Sequence, residues 1–180
     1  TVTLNRPHKR NAMSPALHIE MVDVLEKLRY ETSSRVVVIT GAGEAFCAGM
    51  DLKQFFMDLK DNPAEFDRIY RMATEWRFRT LRYYPKPTIA MVNGVAAGAG
   101  LSIALAADMR FVGKSARMTT AFAKVGFSGD FGSHFFLHRL VGTSKARELY
   151  FTAEILNAEQ IEKLGLANRV VDDANLESET

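Results

Sequence analysis

Cysteine is almost absent: Cys47 stands alone among 180 residues, so no disulfide can close within the chain. A reducing compartment is the default for such a sequence, and a cytoplasmic protein is expected. Long apolar runs are missing as well. The nearest approach, residues 88–107, is broken by Asn93, three glycines and Ser102, so no continuous span of roughly 20 apolar residues exists and no membrane partner is expected. Nor does one sign of charge dominate. Twenty-three Lys and Arg against 21 Asp and Glu leave +2, which supplies no electrostatic footprint for nucleic acid. Two basic clusters, His8-Lys9-Arg10 and residues 77–82, read as solvated faces or as phosphate contacts. No signal peptide is visible, and TVTLNRP at the start and DDANLESET at the end both read as cut.

What is present is a core-former. Hydrophobic residues make up 47% and charged residues 24%, the balance of one soluble globular domain over residues 1–180. Residues 1–4 alternate like a strand until Asn5-Arg6-Pro7 breaks them. Ser14-Pro15 pairs an N-cap with a first-turn proline, and Leu17, Met21, Leu25 and Leu28 continue at helical spacing. β-Branched runs at 36–40 and 88–92 predict buried strands, and 109–112 another. Residues 61–83 have helical periodicity, and 101–107 are small and apolar enough for a buried helix. Thr143 or Ser144 is expected to cap a helix through Phe151. Asn157 with Gln160 reads as a capping box, and Gly165 as that helix's stop. Strands alternating with helices predict an α/β domain.

Two strand exits carry the candidate chemistry. Gly94, Gly98 and Gly100 lack the spacing of a dinucleotide fingerprint, and no Gly-Lys-Ser/Thr follows for a P-loop. Glycines and alanines at a helix start do leave backbone N–H groups free, to bind phosphate or a developing oxyanion, unless they serve only tight helix packing. GAGEAFCAGMDL at 41–52 is a second small-residue loop after a buried strand, with Asp51 at a helix start. Two such loops can aim two N–H donors at one point.

Taken in order, LNRPHKRNAMS (4–14), VVVITGAGEAFCAGMDLK (36–53), KPTIAMVNGVAAGAG (86–100), the strand at Asp108 and LVGTSKARELYFTAEILNAEQIEKLGLANRVV (140–171) resemble the enoyl-CoA hydratase/isomerase (crotonase) superfamily. The first half is most similar to hydroxycinnamoyl-CoA hydratase-lyases, through NRPHKRNAMS and AGMDLKQFF. The resemblance implies a spiral of repeated β-β-α units assembled as trimers or hexamers, with the C-terminal trimerisation helices absent after Thr180. It implies an acyl-CoA thioester as substrate, coenzyme A being part of that substrate and no separate cofactor being needed. The thioester oxygen would be held by the backbone N–H groups of Met50 and Ala99. Lys9, Ala48, Met50 and Leu52 match coenzyme A-contacting positions, with Lys9 suited to phosphate and Leu52 equally readable as core.

The match departs from a hydratase where it matters. Hydration in this family resembles a two-glutamate mechanism, and the two positions are Ser102 and Phe122 here. Neither accepts a proton from water at neutral pH. Asp130, four residues after Gly126, instead matches the working aspartate of family isomerases and aryl-CoA dehalogenases. One carboxylate suffices for a proton shift, because it is base and then acid. Phe122, Phe127 and Phe131 would raise its proton affinity if they wall it in. Asp130 is otherwise a turn aspartate. Isomerase-like proton transfer by Asp130 is the leading expectation. A hydratase or hydratase-lyase using Ser102 with Asp130, and a non-catalytic coenzyme A-ester or RNA binder of the same fold, stay open. His134 and His138 are spaced i, i+4 but lack a third ligand, so no metal is expected. Cys47 has no histidine placed to activate it and reads as a packed residue. Trp76, Phe78, Tyr83 and Tyr84 read as core or as an acyl-pocket lining.

Overall fold

The computed structural model describes residues 1–129 and 131–180; Asp130 lies outside the described residues. Its strands are β1 (Val2–Leu4), β2 (Val37–Gly41), β3 (Ala45–Cys47), β4 (Thr88–Val92), β5 (Val95–Ala97), β6 (Met109–Gly113), β7 (Arg117–Thr119) and β8 (Arg169–Val171). Its α-helices are α1 (Pro15–Tyr30), α2 (Pro63–Thr74), α3 (Ala99–Ala106), α4 (Ser133–Val141), α5 (Thr143–Thr152), α6 (Ala158–Lys163) and α7 (Leu176–Glu179). The order β1-β2-β4-β6-β8 forms a five-stranded parallel sheet, and β3-β5-β7 a three-stranded parallel one. Three successive turns of the chain, beginning at β2, β4 and β6, each lay one strand in the large sheet, bend over two or three residues, lay the next in the small sheet and then pass into helix. This is the expected α/β spiral of β-β-α units.

The bends are tied by amide side chains. Asn93 donates from Nδ2 to the Gly41 and Gly43 carbonyls (2.9 and 2.8 Å), while its Oδ1 accepts from the Gly41 N–H at 3.1 Å. Asn11 is fully buried with φ +58°, a left-handed conformation that asparagine tolerates. Its Nδ2 donates to Ala42 and Ala45 carbonyls (2.9 and 2.7 Å), and its Oδ1 accepts the Arg6 N–H at 2.9 Å. The 6–14 segment is thereby fastened to the β2–β3 bend that leads into the second small-residue loop.

Every residue of α3 is buried, as its small apolar composition predicts. Gly100 lets this helix lie directly on β3: a Cβ there would stand 2.1 Å from the Cys47 carbonyl oxygen. The α1 stripe packs as expected, with Ser14 Oγ accepting the Leu17 N–H at 3.2 Å as the cap. The α6 capping box forms in both directions between Asn157 and Gln160, and Gly165 follows with φ +70°.

Two expectations are corrected. Thr143 is the first residue of α5, not its cap; Gly142, with φ +77°, occupies the cap without a side-chain bond. The 61–83 region is helical as expected, with α2 passing into a π-helical stretch at Glu75–Thr80. Arg77 in that stretch is fully buried, so it lies on no solvated face. The π turn supplies the reason: its wider winding lets the adjacent Trp76 and Arg77 both enter the core.

Candidate active site

An apolar cavity of about 360 Å³ opens where α3 begins. Its walls come from four stretches that are distant in sequence. Ala48, Gly49, Met50 and Leu52 follow β3, and Phe56 lies in the π-helical turn Lys53–Met57 beyond them. Gly98 caps α3 and Ala99 begins it, Tyr70 faces in from α2, and Phe122, Val125, Phe127 and Phe131 close the rest. Five aromatic rings therefore share one wall. Phe56 lies 5.7 Å from Phe127 and Tyr70 6.2 Å from Phe131, centroid to centroid. Among the described lining residues, polar side chains are limited to the hydroxyls of Tyr70 and Ser128. Leu52, Phe56, Val125 and Phe127 are exposed at the rim.

The two strand exits converge as the sequence suggests. Met13 donates to the Gly49 carbonyl at 2.8 Å and accepts from the Asp51 N–H at 2.9 Å, a parallel bridge that brackets Met50. Alternation along an extended chain turns the Met50 N–H the other way. Ala99 is the first residue of α3, so its N–H has no acceptor inside the helix. Among the described residues neither N–H donates a hydrogen bond, and both residues line the same cavity. The loops touch: a Cβ on Gly49 would stand 3.6 Å from the Ala99 nitrogen. Gly98, with φ +52° and ψ −122°, makes the turn that presents Ala99, a conformation other residues enter only with strain.

Arg6 locks the first loop from behind. Its Nη2 pairs with Asp51 Oδ2 at 3.1 Å, Nη1 donates to the Ala12 carbonyl at 2.5 Å, and Asp51 Oδ1 accepts the Gln54 N–H at 3.3 Å. Asp51 thus sits at the helix start that the sequence suggests. The Arg6–Asp51 pair joins residues 45 positions apart, so no local sequence signal reveals it.

Of the candidate residues, Ala48, Met50, Leu52, Ala99 and Phe122 meet at the cavity. Leu52 is 40% exposed, which removes the core reading for it. Lys9 is exposed on the 3-10 turn Pro7–Lys9, outside the cavity lining. Ser102 is corrected: it is fully buried, off the cavity wall, and its Oγ donates to the Gly98 carbonyl at 3.2 Å. It lies one turn into α3, on a face pressed into the core, and cannot reach water in the cavity. Asp130 lies outside the described residues, while its chain neighbours Gly129 and Phe131 line the cavity.

The remaining sequence candidates resolve as structure rather than chemistry. Trp76 is buried and its Nε1–H donates to His18 Nδ1 at 3.2 Å. Phe78 packs edge-on against Phe135 and Phe136, the Tyr84 hydroxyl donates to the Leu25 carbonyl at 2.6 Å, and Tyr83 is exposed. None of the four lines the cavity, and Phe56 and Tyr70, which do, had no distinguishing signal beyond being aromatic. His134 Nε2 bonds the Ser128 carbonyl at 2.8 Å, and its ring stacks on Tyr150. Among the described residues no group of three or more His, Cys, Asp or Glu is placed to hold a metal. Burial pushes the Cys47 thiol up to about 11, and its Sγ–H donates to the Asn11 carbonyl at 3.2 Å. No helix among the described residues is long and apolar enough to cross a membrane.

Known proteins share this arrangement over nearly the whole chain. A family model described as enoyl-CoA hydratase/isomerase matches residues 1–180. A hydroxycinnamoyl-CoA hydratase-lyase of Pseudomonas fluorescens is 38% identical over 182 residues, covering 99% of this chain and 65% of that protein. A 1,2-epoxyphenylacetyl-CoA isomerase of Escherichia coli (strain K12) is 36% identical over 180 residues, covering 98% of this chain and 67% of that protein. Among solved structures, a Thermobifida fusca YX protein named as an enoyl-CoA hydratase, in complex with acetoacetyl-CoA, matches with a TM-score of 0.88 and 33% identity, covering 98% of this chain and 71% of that one. The chain thus spans about two thirds of the length of its relatives, and it belongs to the enoyl-CoA hydratase/isomerase family.

Proposed function

We propose that the cavity binds an enoyl- or aryl-acyl-CoA thioester and that the protein moves a proton along its acyl chain. The thioester oxygen accepts from the Met50 and Ala99 N–H groups, and Asp130 takes a proton from one carbon and returns it to another. Removal of the proton leaves an enolate whose charge rests on that oxygen. Each oxyanion-hole donor is worth about 3–4 kcal/mol of transition-state stabilisation. Bonds balance without a co-reactant: one C–H breaks, one C–H forms, and the double bond shifts between them. Lys9, exposed beside the first loop, offers an ammonium to the phosphates of coenzyme A, while Ala48 and Leu52 flank the thioester.

The observation that supports this reading is the convergence of two N–H groups without acceptors on one cavity walled by five aromatic rings. Planar, apolar acyl groups suit such a wall, and the two relatives are named for ring-bearing acyl groups, hydroxycinnamoyl and 1,2-epoxyphenylacetyl. A two-carboxylate hydration is disfavoured because Ser102 is sealed in α3 and Phe122 presents a ring.

Asp130→Asn tests the assignment against a panel of enoyl- and aryl-acyl-CoA thioesters, read by the ultraviolet change on double-bond migration. The expected result is a fall in kcat of roughly a thousandfold with thioester affinity retained. Equal rates in the two proteins would make Asp130 a turn residue. Equal binding with no turnover in either would leave a coenzyme A-ester binder.

A further inference from the structure

The basic cluster at 77–82 is only partly absorbed by the fold. Arg77 is buried and Arg79 pairs with Glu75 at 3.8 Å, while Arg82 is exposed and enters neither arrangement. Arg82 instead lines a separate cavity of about 210 Å³ at the C-terminal end of α3, about 12 Å along that helix from Ala99. Asp108 and Arg110 reach the same cavity from the start of β6, and Arg139 reaches it from α4.

Arginines beside helix C-termini serve first as caps. Arg110 donates from Nη1 to the Ala107 carbonyl and from Nε to the Leu166 carbonyl, both at 2.8 Å, and Arg139 Nη1 donates to the Phe135 carbonyl at 3.1 Å. Donors remain, because a guanidinium carries five N–H groups. Arg110 is only 6% exposed, yet its Nη2 has no hydrogen bond among the described residues and is not sealed from solvent. Arg82 makes no hydrogen bond among them at all; it touches the rings of Tyr83 and Phe135. Its guanidinium carbon lies 4.5 Å from the Phe135 centroid, and that of Arg139 lies 3.3 Å from the same centroid. One ring thus gathers two like charges. Asp108 attracts Arg110, but its Oδ2 already accepts the Thr88 N–H and hydroxyl at 2.8 and 2.9 Å. Among the described residues neither Arg82 nor Arg139 has an ion-pair partner. Three guanidiniums against one carboxylate leave the described lining with a charge of +2.

Two like charges held on one ring repel, and a dianion between them replaces that repulsion with two charge-assisted contacts. Guanidinium forks match the oxygens of phosphate better than any other side chain does. The cavity is smaller than the roughly 300 Å³ at which pockets take drug-sized ligands, so it suits one phosphoryl group rather than a nucleotide. We propose that this cavity is an anion site, taking a phosphate dianion, free or as a small phosphomonoester, on Arg82, Arg139 and the Nη2 of Arg110. The inference is independent of the acyl-thioester reading, whose cavity opens at the other end of α3.

Calorimetric titration of the intact protein with inorganic phosphate at low ionic strength tests it. The expectation is saturable one-to-one binding with a Kd of about 1 mM or tighter, weakened about tenfold in each of Arg82→Gln and Arg139→Gln. The fluorescence of buried Trp76 checks that each variant is folded. If Arg139→Gln unfolds for want of its bond to Phe135, Arg82→Gln alone decides. No saturable binding to the wild type overturns the proposal, and so does unchanged affinity in Arg82→Gln. Lys9→Gln should bind phosphate as the wild type does. Binding lost in Lys9→Gln and kept in the arginine variants would move the anion to the proposed coenzyme A contact and overturn this site, without touching the acyl-thioester reading. Methyl phosphate in a parallel titration identifies the source. Tighter binding than inorganic phosphate assigns a phosphomonoester, and equal or weaker binding assigns the free anion.

Discussion

Gly100→Ala should damage both the fold and the site. A Cβ at residue 100 would meet the Cys47 carbonyl oxygen at 2.1 Å, its carbonyl carbon at 2.8 Å and its Cβ at 2.9 Å, where ordinary contact begins at 3.4 Å. One methyl group must therefore push α3 and β3 apart by more than 1 Å. Neither partner yields easily: β3 is paired to β5, and the Cys47 thiol is bonded to the Asn11 carbonyl. Overpacking of this kind costs about 3 kcal/mol, while alanine's better helix propensity returns about 1 kcal/mol, so the clash wins by about 2 kcal/mol. Urea denaturation followed by Trp76 fluorescence reads this directly, since Trp76 is the sole tryptophan and is buried. The midpoint should fall by about 1 M. The shift also separates Ala99 from Met50, and with their N–H groups holding the thioester oxygen as proposed, a displacement of about 1 Å costs roughly a hundredfold in rate. Gly98→Ala is the contrast: its Cβ would meet nothing nearer than 3.6 Å, leaving chiefly the backbone strain of φ +52° with ψ −122°, about 1–3 kcal/mol. A Gly100→Ala protein as stable as wild type would refute the argument, because the close approach of α3 to β3 would then not be limiting.

Three further outcomes follow from buried polar groups. Burial, aided by the Arg77 charge, holds the His18 imidazole down at about 2 against an ordinary value of 6.5. The unfolded chain thus binds the proton first, so this contribution to stability is fully present above pH 6.5 and is lost as pH falls toward 2, at about 1.4 kcal/mol per pH unit. Urea titrations at pH 7 and pH 4.5 should therefore differ less in His18→Asn, which keeps an acceptor for the Trp76 N–H, and equal differences in the two proteins would contradict the assignment. Cys47, buried and pushed up to about 11, should resist iodoacetamide at pH 8 in native protein and react once urea unfolds it; stoichiometric native labelling would show the site to be open. Asn11→Ala removes three hydrogen bonds at a left-handed position and leaves the Ala45 carbonyl only the longer bond from Asn93, for an expected loss of about 3–5 kcal/mol by denaturant melt. A loss under about 1 kcal/mol would mean that the 6–14 segment is not held as described.

The long elements were legible because they carry periodic burial. The stripe from Leu17 to Leu28, the runs at 36–40 and 88–92, and the capping box at Asn157 each have a local physical signature that the packing keeps. The small sheet was not. β3, β5 and β7 are three residues each, too short for alternation to register, and the bends before β3 and β5 are set by Asn11 and Asn93 bonding to distant carbonyls. Arg77 misled for a related reason. Its sequence neighbourhood is basic, yet a π turn rotates it inward, and only tertiary packing determines that rotation.

The site divides along the same line. Met50 and Ala99 could be placed at the cavity because glycine-rich loops announce where backbone is free, and the role proposed for them is one of backbone. Ser102 and Phe122 show the limit: both fall at positions matched to hydratase glutamates, yet one is sealed against Gly98 and the other faces the cavity. Restoring glutamate would therefore have unequal consequences. At residue 122 the carboxylate would face the cavity, at the cost of a ring stacked on Tyr150 at 6.2 Å. At residue 102 it would have to displace a fully buried side chain in a helix already pressed onto β3. A two-carboxylate water site would therefore need room made around residue 102 as well as two substitutions. On the proposed reading, the packing of this helix works against hydratase chemistry.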